Sequence, residues 1–536
     1  MTNTTVVAFA PPTEQAIGGG LEGAERTSRE MLRWTPPMIS PDVQINAGKD
    51  LADARGRDIV QNDAYATGAV SLHRDSIVGN QYRLNAQPDY DVLGADEAWA
   101  EEFQQTVEPR FNLISDSIEN WLDASGSNTL TGLIRLAVGG FLMTGEVVGT
   151  AEWLRDSGRP CSTAVQLISP TRLSNPNGQS DTRYLRRGVE IDVFGSPISY
   201  WFRTSHPGDV YADQDMWRWR NVPARKPWGR RMVIHILEKL QPEQTRGISD
   251  MVSALKQMRM TKKFQEITLQ NAVVNASYAA AIESELPREV VFGALGAGTA
   301  GLGDALSTYM QSLAAYTGAA PNLSIDGTKI PHLFPGTKLN LTPMGTPGGV
   351  GTEFEQSLLR HTAASLGLSY EQFSRDYTKT NYSSARASMS ETWKYMQSRK
   401  KIVADRLATH IYVLWLEEQI NAGNVPLPPG MTVTDYYADA VKREALHACD
   451  WIGASRGQID ELKETQAAVA RIDAGFSTIE KEAARLGEDF RKVFRQRSRE
   501  KRLAESLGLA FGADAAMQLA KAQADAQQQQ NQDQQQ

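Results

Sequence analysis

Helical periodicity that stops and restarts constrains this chain most. Apolar residues recur at helical spacing over about 352 to 366, give way to a polar stretch, and return from about 384 to 421. In the second run Trp393, Met396, Ile402, Ala404, Leu407, Ile411, Leu414 and Trp415 approximate one helical face. A helix of that length reaches roughly 57 Å at 1.5 Å per residue and needs neighbours to cover its apolar side. The polar break between the two runs therefore needs a reason of its own.

The chain before the break divides in two. From Leu51 to Val78 the spacing of Ile59, Val60, Ala64, Ala69, Val70, Leu72 and Ile77 predicts one long amphipathic helix ending at Gly79. Helices are expected over about 95–112 and 129–144, followed by short strands at Glu146–Trp153, Val165–Ser169, Val189–Val193 and Ile198–Phe202. Ser249 and Asp250 offer cap chemistry for a helix running to about Asn275, with Ile248, Met251, Val252, Leu255 and Met258 on one stripe. Residues 276–345 are rich in Gly and Pro, with short strands expected around 322–325 and 337–342 and a helix near 303–316. After Pro426 to Gly430 an extended segment leads into helices through about 520. Residues 1–26 read as a flexible arm and the Gln-rich end, 521–536, as disordered. The fold class expected is mixed α+β, mostly helical.

With 536 residues, 41% of them apolar and 22% charged, three or four compact units are expected rather than a disordered chain. The longest strongly apolar stretch, Gly132–Gly145, carries Arg135 and falls short of the roughly 18–20 residues of a membrane-spanning helix, so no membrane partner is expected. The start, MTNTTVVAFAPPTEQ, lacks the basic and apolar regions of a secretory leader. Two cysteines, Cys161 and Cys449, exclude a disulfide framework and fit a reducing compartment. A net charge of −7 disfavours a protein that grips nucleic acid over its whole surface, while leaving local basic patches open.

No catalytic set emerges. Gly296-Ala297-Gly298-Thr299-Ala300-Gly301 matches GxGxxG, but a poor strand precedes it and no alternating βα units follow, so a Gly-rich loop explains it. No GxxxxGK[ST] loop, HExxH pair or GxSxG elbow is present, and the seven histidines read as structural. Glu417-Glu418 and Glu283/Glu285 read as solvated helix surface. Neither a cofactor nor a metal is expected, and the chain is not expected to be an enzyme.

Three basic features remain. Trp217-Arg218-Trp219-Arg220, with Arg225, Lys226, Trp228, Arg230 and Arg231, contains no acid and suits either base stacking with phosphate pairing or a subunit contact through Trp217, Trp219, Arg220 and Trp228. The helix after Ser249 carries Lys256, Arg259, Lys262 and Lys263 away from its apolar stripe, a row that faces either a channel or water. From Arg485 to Arg502 eight basic residues stand against Glu488, Asp489 and Glu500 on a helix.

Taken in order, several segments resemble portal proteins of lambda-type tailed bacteriophages. They are RGRDIVQNDAYATGAVSLHRDSIVG (55–79), ISPTRLSNPN (168–177), GVEIDVFGSPISYW (188–201), HILEKLQPEQTRG (235–247), EQSLLRHTAASLGLSYEQFSRDYTKTNYSSARASMS (355–390) and CDWIG (449–453). The resemblance covers about residues 30–500.

It implies a closed cyclic ring, usually of twelve subunits, at one capsid vertex, through which double-stranded DNA is packaged and ejected without sequence readout. The implied partners are the terminase large subunit, head-completion or adaptor proteins, and the major capsid and scaffolding proteins. The implied location is the virion, with assembly in the host cytoplasm. On this scheme 27–245 is a wing, 246–275 and 346–372 are two stem helices, 276–345 is a clip, 386–455 holds the long channel helix and a return to the wing, and 456–520 is a helical crown. The polar break becomes a channel loop, 373–385, with Arg375, Asp376, Tyr377, Thr378, Lys379, Thr380, Asn381 and Tyr382 facing DNA. The closest alternatives are a minor capsid or adaptor ring without the main channel and, further off, a nucleic-acid-processing packaging subunit.

Overall fold

The computed structural model describes residues 28–156, 158–211, 213–278, 323–325, 328–330, 350–455 and 461–507, with a few single positions besides. The N-terminal arm, nearly all of the 276–345 segment with its GxGxxG match, and the Gln-rich end lie outside the described residues.

Three helices open the fold: α1 (Pro41–Asn46), α2 (Lys49–Asn62) and α3 (Ala64–Ile77). The single helix expected over Leu51–Val78 is thus two. Asp63 adopts extended backbone (φ −128°, ψ 124°), and its carboxylate accepts from the Ala66 amide at 2.9 Å to cap α3. The apolar spacing runs through both helices and hides the break.

Strand β1 (Arg83–Ala86), α4 (Tyr90–Leu93), α5 (Glu97–Ser115) and α6 (Leu130–Thr144) follow. Helix α6 is apolar almost all round, and Leu130, Leu133, Ile134, Ala137, Val138 and Phe141 are buried. Burial of each larger side chain contributes roughly 1.5–3 kcal/mol. Behind α6 lies an antiparallel sheet with β2 (Glu146–Trp153) between β3 (Thr163–Ile168) and β8 (Val233–Leu237). A second antiparallel sheet orders β4 (Leu185–Arg186), β5 (Val189–Ile191), β6 (Pro197–Arg203) and β7 (Trp219–Pro223).

Helix α7 (Leu255–Tyr278) is led in by a single 3₁₀ turn, Asp250–Ser253, which Ser249 caps as its sequence suggests. After it come the short hairpin β9 (Leu323–Ile325) and β10 (Thr328–Ile330), then α8 (Val350–Ser365), α9 (Tyr370–Ser374) and α10 (Tyr382–Arg399). A π-helical turn, Lys400–Asp405, joins α10 to α11 (Arg406–Asn421). Its wider winding brings Lys400 Nζ within 2.7 Å of Asp405 and 2.9 Å of the Trp451 carbonyl, and Asp405 accepts from the Tyr82 hydroxyl. Short helices α12 (Val433–Ala438) and α13 (Ala440–His447) return the chain to β11 (Cys449–Ile452), which pairs antiparallel with β1. The last helices are α14 (Glu461–Asp473), α15 (Ile479–Arg485) and α16 (Phe490–Ser506).

A buried ionic bracket holds these layers in register. The Glu146 carboxylate, at the start of β2, receives Arg246 Nε at 3.1 Å and Nη2 at 2.6 Å, Lys49 Nζ at 3.2 Å, His235 Nε2 at 3.1 Å and the Gly247 amide at 2.9 Å. Burial alone would raise its pKa, but Arg246 and then Lys49 outweigh burial and hold it well below the usual carboxylate range. Arg246 spends its remaining donors on the carbonyls of Pro170, Leu173 and Arg187, at 2.9, 2.9 and 2.8 Å. Lys49 donates to the carbonyls of Thr144 and Gly247, both at 2.9 Å. Next to it, burial pushes Asp53 up to about 6 against the pull of Lys49. Gly145, at φ +76°, and Gly247 cross so closely that a Cβ on Gly247 would collide with the Gly145 carbonyl.

Gly247→Ala is therefore expected to destabilise the fold by about 3 kcal/mol or more, read as a lower unfolding midpoint in denaturant. A change under about 1 kcal/mol would show that the crossing can relax. Acidification gives a second expected outcome. Burial lowers His73 to about 4, His410 to about 3 and His447 to about 4 from an ordinary 6.5. Between pH 6.5 and 4 the unfolded chain takes up protons that these folded rings refuse, so their contribution to stability falls as the pH falls. Asp53 and Glu108, raised by burial to about 6 and about 7, act in the opposite sense over the same range, but the histidine shifts are the larger set. Thermal unfolding midpoints should drop from pH 7 to pH 4.5, and a flat profile would remove the neutral-histidine account.

Candidate nucleic-acid interface

The polar break is an exposed turn standing on a fixed base. Ser369 and Gln372 form a capping box at the start of α9, and Phe373 is buried, stacked on Tyr65 with ring centroids 5.6 Å apart. Gln372 Oε1 also accepts from the Thr392 hydroxyl at 2.8 Å, which ties α9 to α10. Arg375 ends α9 in the left-handed region at φ 60°. The Asp376 carboxylate then accepts from the amide and hydroxyl of Thr378 at 3.1 and 2.6 Å, bonds that hold its pKa below the ordinary value. The Thr380 amide donates to the Tyr377 carbonyl at 3.2 Å, and Asn381 caps α10 by accepting from the Ser384 amide at 2.9 Å. Tyr377 is 50% exposed, and Arg375, Thr378 and Lys379 are exposed with it. Asp376 and Thr380 are half-buried, and Tyr382 is the first residue of α10.

The basic row of α7 sits at the same end of a helix pair. Helix α7 packs antiparallel on α8 through the Phe264–Phe354 ring pair, 5.8 Å between centroids, and a 2.6 Å hydrogen bond from Gln265 to Glu355. This register sets Lys256 opposite the C-terminal end of α8, the end that leads into α9 and the turn. At 100° per residue, Lys256, Arg259 and Lys263 fall within about 60° of one another, opposite buried Ala254, Met258 and Thr261. All three are exposed and have no ion-pair partner among the described residues. Lys262 departs from the row: it turns back to donate to the Asn62 carbonyl at 2.8 Å.

The Trp217–Arg231 stretch is part surface and part core. Trp217 is 67% and Trp228 50% exposed. Trp219 is half-buried, its indole NH donating to Ser174 at 3.0 Å with the Arg203 guanidinium 4.9 Å from its ring. Arg220 stays largely exposed, 3.8 Å from Glu152. Arg230 belongs to the interior, bonded to Glu417 at 2.6 Å and Thr163 at 3.2 Å. The reading of Glu417-Glu418 as solvated surface is corrected here: Glu417 neutralises Arg230, and Glu418 accepts from the amides of Ser162 and Thr163 at 2.7 and 2.8 Å. The strand they cap arrives from more than 240 residues upstream, so no local pattern announced it. The Arg485–Arg502 charges do not share one helix: Arg485 ends α15, paired with Glu482 at 2.7 Å, and the bases from Arg491 on lie on α16, which has no buried residue along its length.

No group of three or more His, Cys, Asp and Glu side chains among the described residues is arranged to hold a metal ion. Burial pushes the Cys161 thiol up to about 12 and Cys449 to about 11, so neither is a nucleophile at neutral pH. No helix among the described residues is long and apolar enough to cross a membrane.

Arg375→Gly is expected to leave the fold equally stable or firmer by roughly 0.5–1 kcal/mol, because glycine adopts the left-handed region freely. Hydrogen exchange across Ser374–Asn381 measures it, and faster exchange in the variant would show that the arginine side chain holds the turn.

Comparison with known proteins gives these surfaces a family. Residues 27–400 match the family model "Phage portal protein, lambda family". The portal protein of Escherichia phage N15 is 39% identical over 494 residues, 92% of this chain and 90% of that protein. Portal protein B of Escherichia phage lambda is 39% identical over 490 residues, 91% of this chain and 90% of that protein. Among solved structures, a chain from the neck of an empty GTA particle aligns at a TM-score of 0.40 and 13% identity, covering 81% of this chain and 93% of that one, a likeness too loose to bear on function. The chain belongs to the lambda family of phage portal proteins.

Proposed function

We propose that the protein is the portal of a tailed phage: a closed ring of identical subunits at one capsid vertex, through which double-stranded DNA is packaged and ejected. The observation that carries this reading is the 39% identity to two phage portal proteins over nine-tenths of both chains. The chain is a structural conduit, and the motive force comes from a packaging ATPase that docks on it.

Residues 27–245 form the wing, α7 and α8 with α9 the two stem helices, 276–345 the clip that meets the motor and later the head-completion proteins, and 456–520 the crown. Within the 373–385 span, the exposed turn 375–381 lines the axial passage, with Phe373 buried on Tyr65 at its base. Its capped base and exposed tip support that role, since a loop gripping a moving polymer has to be anchored firmly and present little surface. Lys379 and Arg375 meet phosphates in passing, while Asp376 and the net charge of −7 keep attraction weak enough for sliding. Lys256, Arg259 and Lys263 continue the same electrostatic lining along the stem, whereas Lys262, engaged with Asn62, does not. Trp217, Trp228 and Arg220 remain available as contacts between subunits, with Trp219 holding the strand in place behind them.

Purified protein imaged by negative stain is expected to form rings with a central hole; monomers or dimers under every assembly condition would count against the portal reading. Deleting Asp376–Asn381 is expected to leave rings intact and to reduce packaged or retained DNA at least tenfold. Normal DNA content in particles built from that variant would remove the loop from the channel.

A further inference from the structure

Charge is distributed unevenly between two sides of helix α11. Between residues 89 and 119 there are nine acids and one base, Arg110. Eight of those acids are exposed; Glu108 is turned inward, accepting from the Ala86 amide at 3.0 Å. Leu113 and Ile118, 77% and 88% exposed, stand among them. Between 217 and 231 there are six bases and no acid, with exposed Trp217 and Trp228 among them.

The basic side includes a cavity of about 380 Å³ between the 225–231 hairpin, α11 and helices α12 and α13. Arg225, Arg231 and Arg443 line it, and none of the three has an ion-pair partner among the described residues. Of the two acids at its wall, Glu417 is already taken by Arg230 and Glu444 is exposed. Burial, and next the charge of Arg225, lowers the pKa of Arg231. The cavity is a site with positive charge in excess and a volume that admits carboxylate side chains.

Helix α11 stands between α5 and the cavity, whereas α4 borders the cavity side, packing on α13 with the Asp89 amide donating to the Ala445 carbonyl at 3.0 Å. His410, Leu414 and Glu417 face the cavity, whereas Tyr412 and Trp415 meet Phe111 of α5 at centroid distances of 5.6 and 5.1 Å. At 100° per residue these two sets lie roughly 160° apart around the helix. One subunit thus presents an acidic, apolar-studded face on one side and a basic, tryptophan-studded face on the other. A ring closed by rotation needs two such unlike, complementary faces on every subunit.

We infer that the ring closes by docking the acidic α5 face of one copy, led by Glu101 and Glu102, onto the Arg225–Arg231 hairpin and the arginine cavity of the next. This rests on the portal reading for there being a ring at all. Opposite potentials guide encounter and fix which faces meet, and the exposed Leu113, Ile118, Trp217 and Trp228 supply apolar contact.

A charge-swap experiment on the full-length chain tests it, with mass photometry and negative stain as readouts and circular dichroism to establish folding. Arg225→Glu with Lys226→Glu, and separately Glu101→Lys with Glu102→Lys, are each expected to raise the protein concentration for half-assembly by at least about tenfold. Combining all four substitutions in one chain restores complementary charge and is expected to recover rings, as is mixing the two double variants. Rings that form as readily in either folded double variant overturn the inference while leaving the portal reading untouched. So does a folded quadruple variant that fails to recover. Loss of DNA binding with unchanged assembly in the arginine-side variant also overturns it, assigning that surface to nucleic acid. Absence of rings in the unsubstituted protein would instead sink the portal reading.

Discussion

The Glu146 carboxylate is the point on which the fold turns. It sits at the junction of α6 and β2, and through Arg246, Lys49 and His235 it holds the segment that leads into α7, the start of α2 and the middle of β8. Arg246 extends the bracket to the 170–173 turn and to Arg187, in the turn between β4 and β5 of the second sheet. Removing charges from water costs several kcal/mol per ion, so such a cluster adds little net stability over a well-packed apolar core. Its physical effect is selective: any other packing of these segments leaves a buried charge without a partner. The lead-in to α7 is thereby tied to the sheet layer at Arg246 and to α6 at Ser249, whose hydroxyl donates to the Leu142 carbonyl at 2.7 Å.

That constraint accounts for several of the segments that carry the family resemblance. ISPTRLSNPN supplies the Pro170 and Leu173 carbonyls, and HILEKLQPEQTRG supplies His235, Arg246 and the Gly247 crossing. CDWIG forms β11, whose Trp451 stacks on Tyr82 at 5.6 Å and donates to Thr409 at 3.0 Å. RGRDIVQNDAYATGAVSLHRDSIVG is α2 with α3, whose His73 lies between the carbonyls of Ala69 and Leu366 at 2.8 and 3.1 Å. These residues hold distant parts of the chain together.

Elements whose signal is local were legible in the sequence. Strand β2 occupies the expected span, α6 and α8 lie within two residues of theirs, and the polar break between helical runs is the exposed turn. What escaped was one local cap and several partners far away in the chain. Asp63 interrupts a continuous apolar stripe because its side chain caps the next helix, a choice that periodicity does not register. Arg230 and Lys262 read as free charges until Glu417 and the Asn62 carbonyl arrive from 187 and 200 residues away. The same holds for Glu418, which looks solvated on its own helix and serves instead as the acceptor for the first amides of β3. Side-chain chemistry identifies who can pair; only the fold decides who does.

The segregation of charge across α11 has a cause in that same architecture. The aromatic set Phe111, Tyr412, Trp415 and Trp451 fills one side of the helix with rings, and α5 turns its acids outward because its apolar stripe is committed to them. On the other side the 225–231 hairpin inserts Arg230 beneath α11 as an internal counter-ion for Glu417, with Arg225 exposed opposite Arg231 at its base and Lys226 opening the turn. A net charge of −7 therefore describes neither face. On the proposed docking, copies placed head to tail set these unlike faces against each other at every junction, the heterologous pairing that a ring requires.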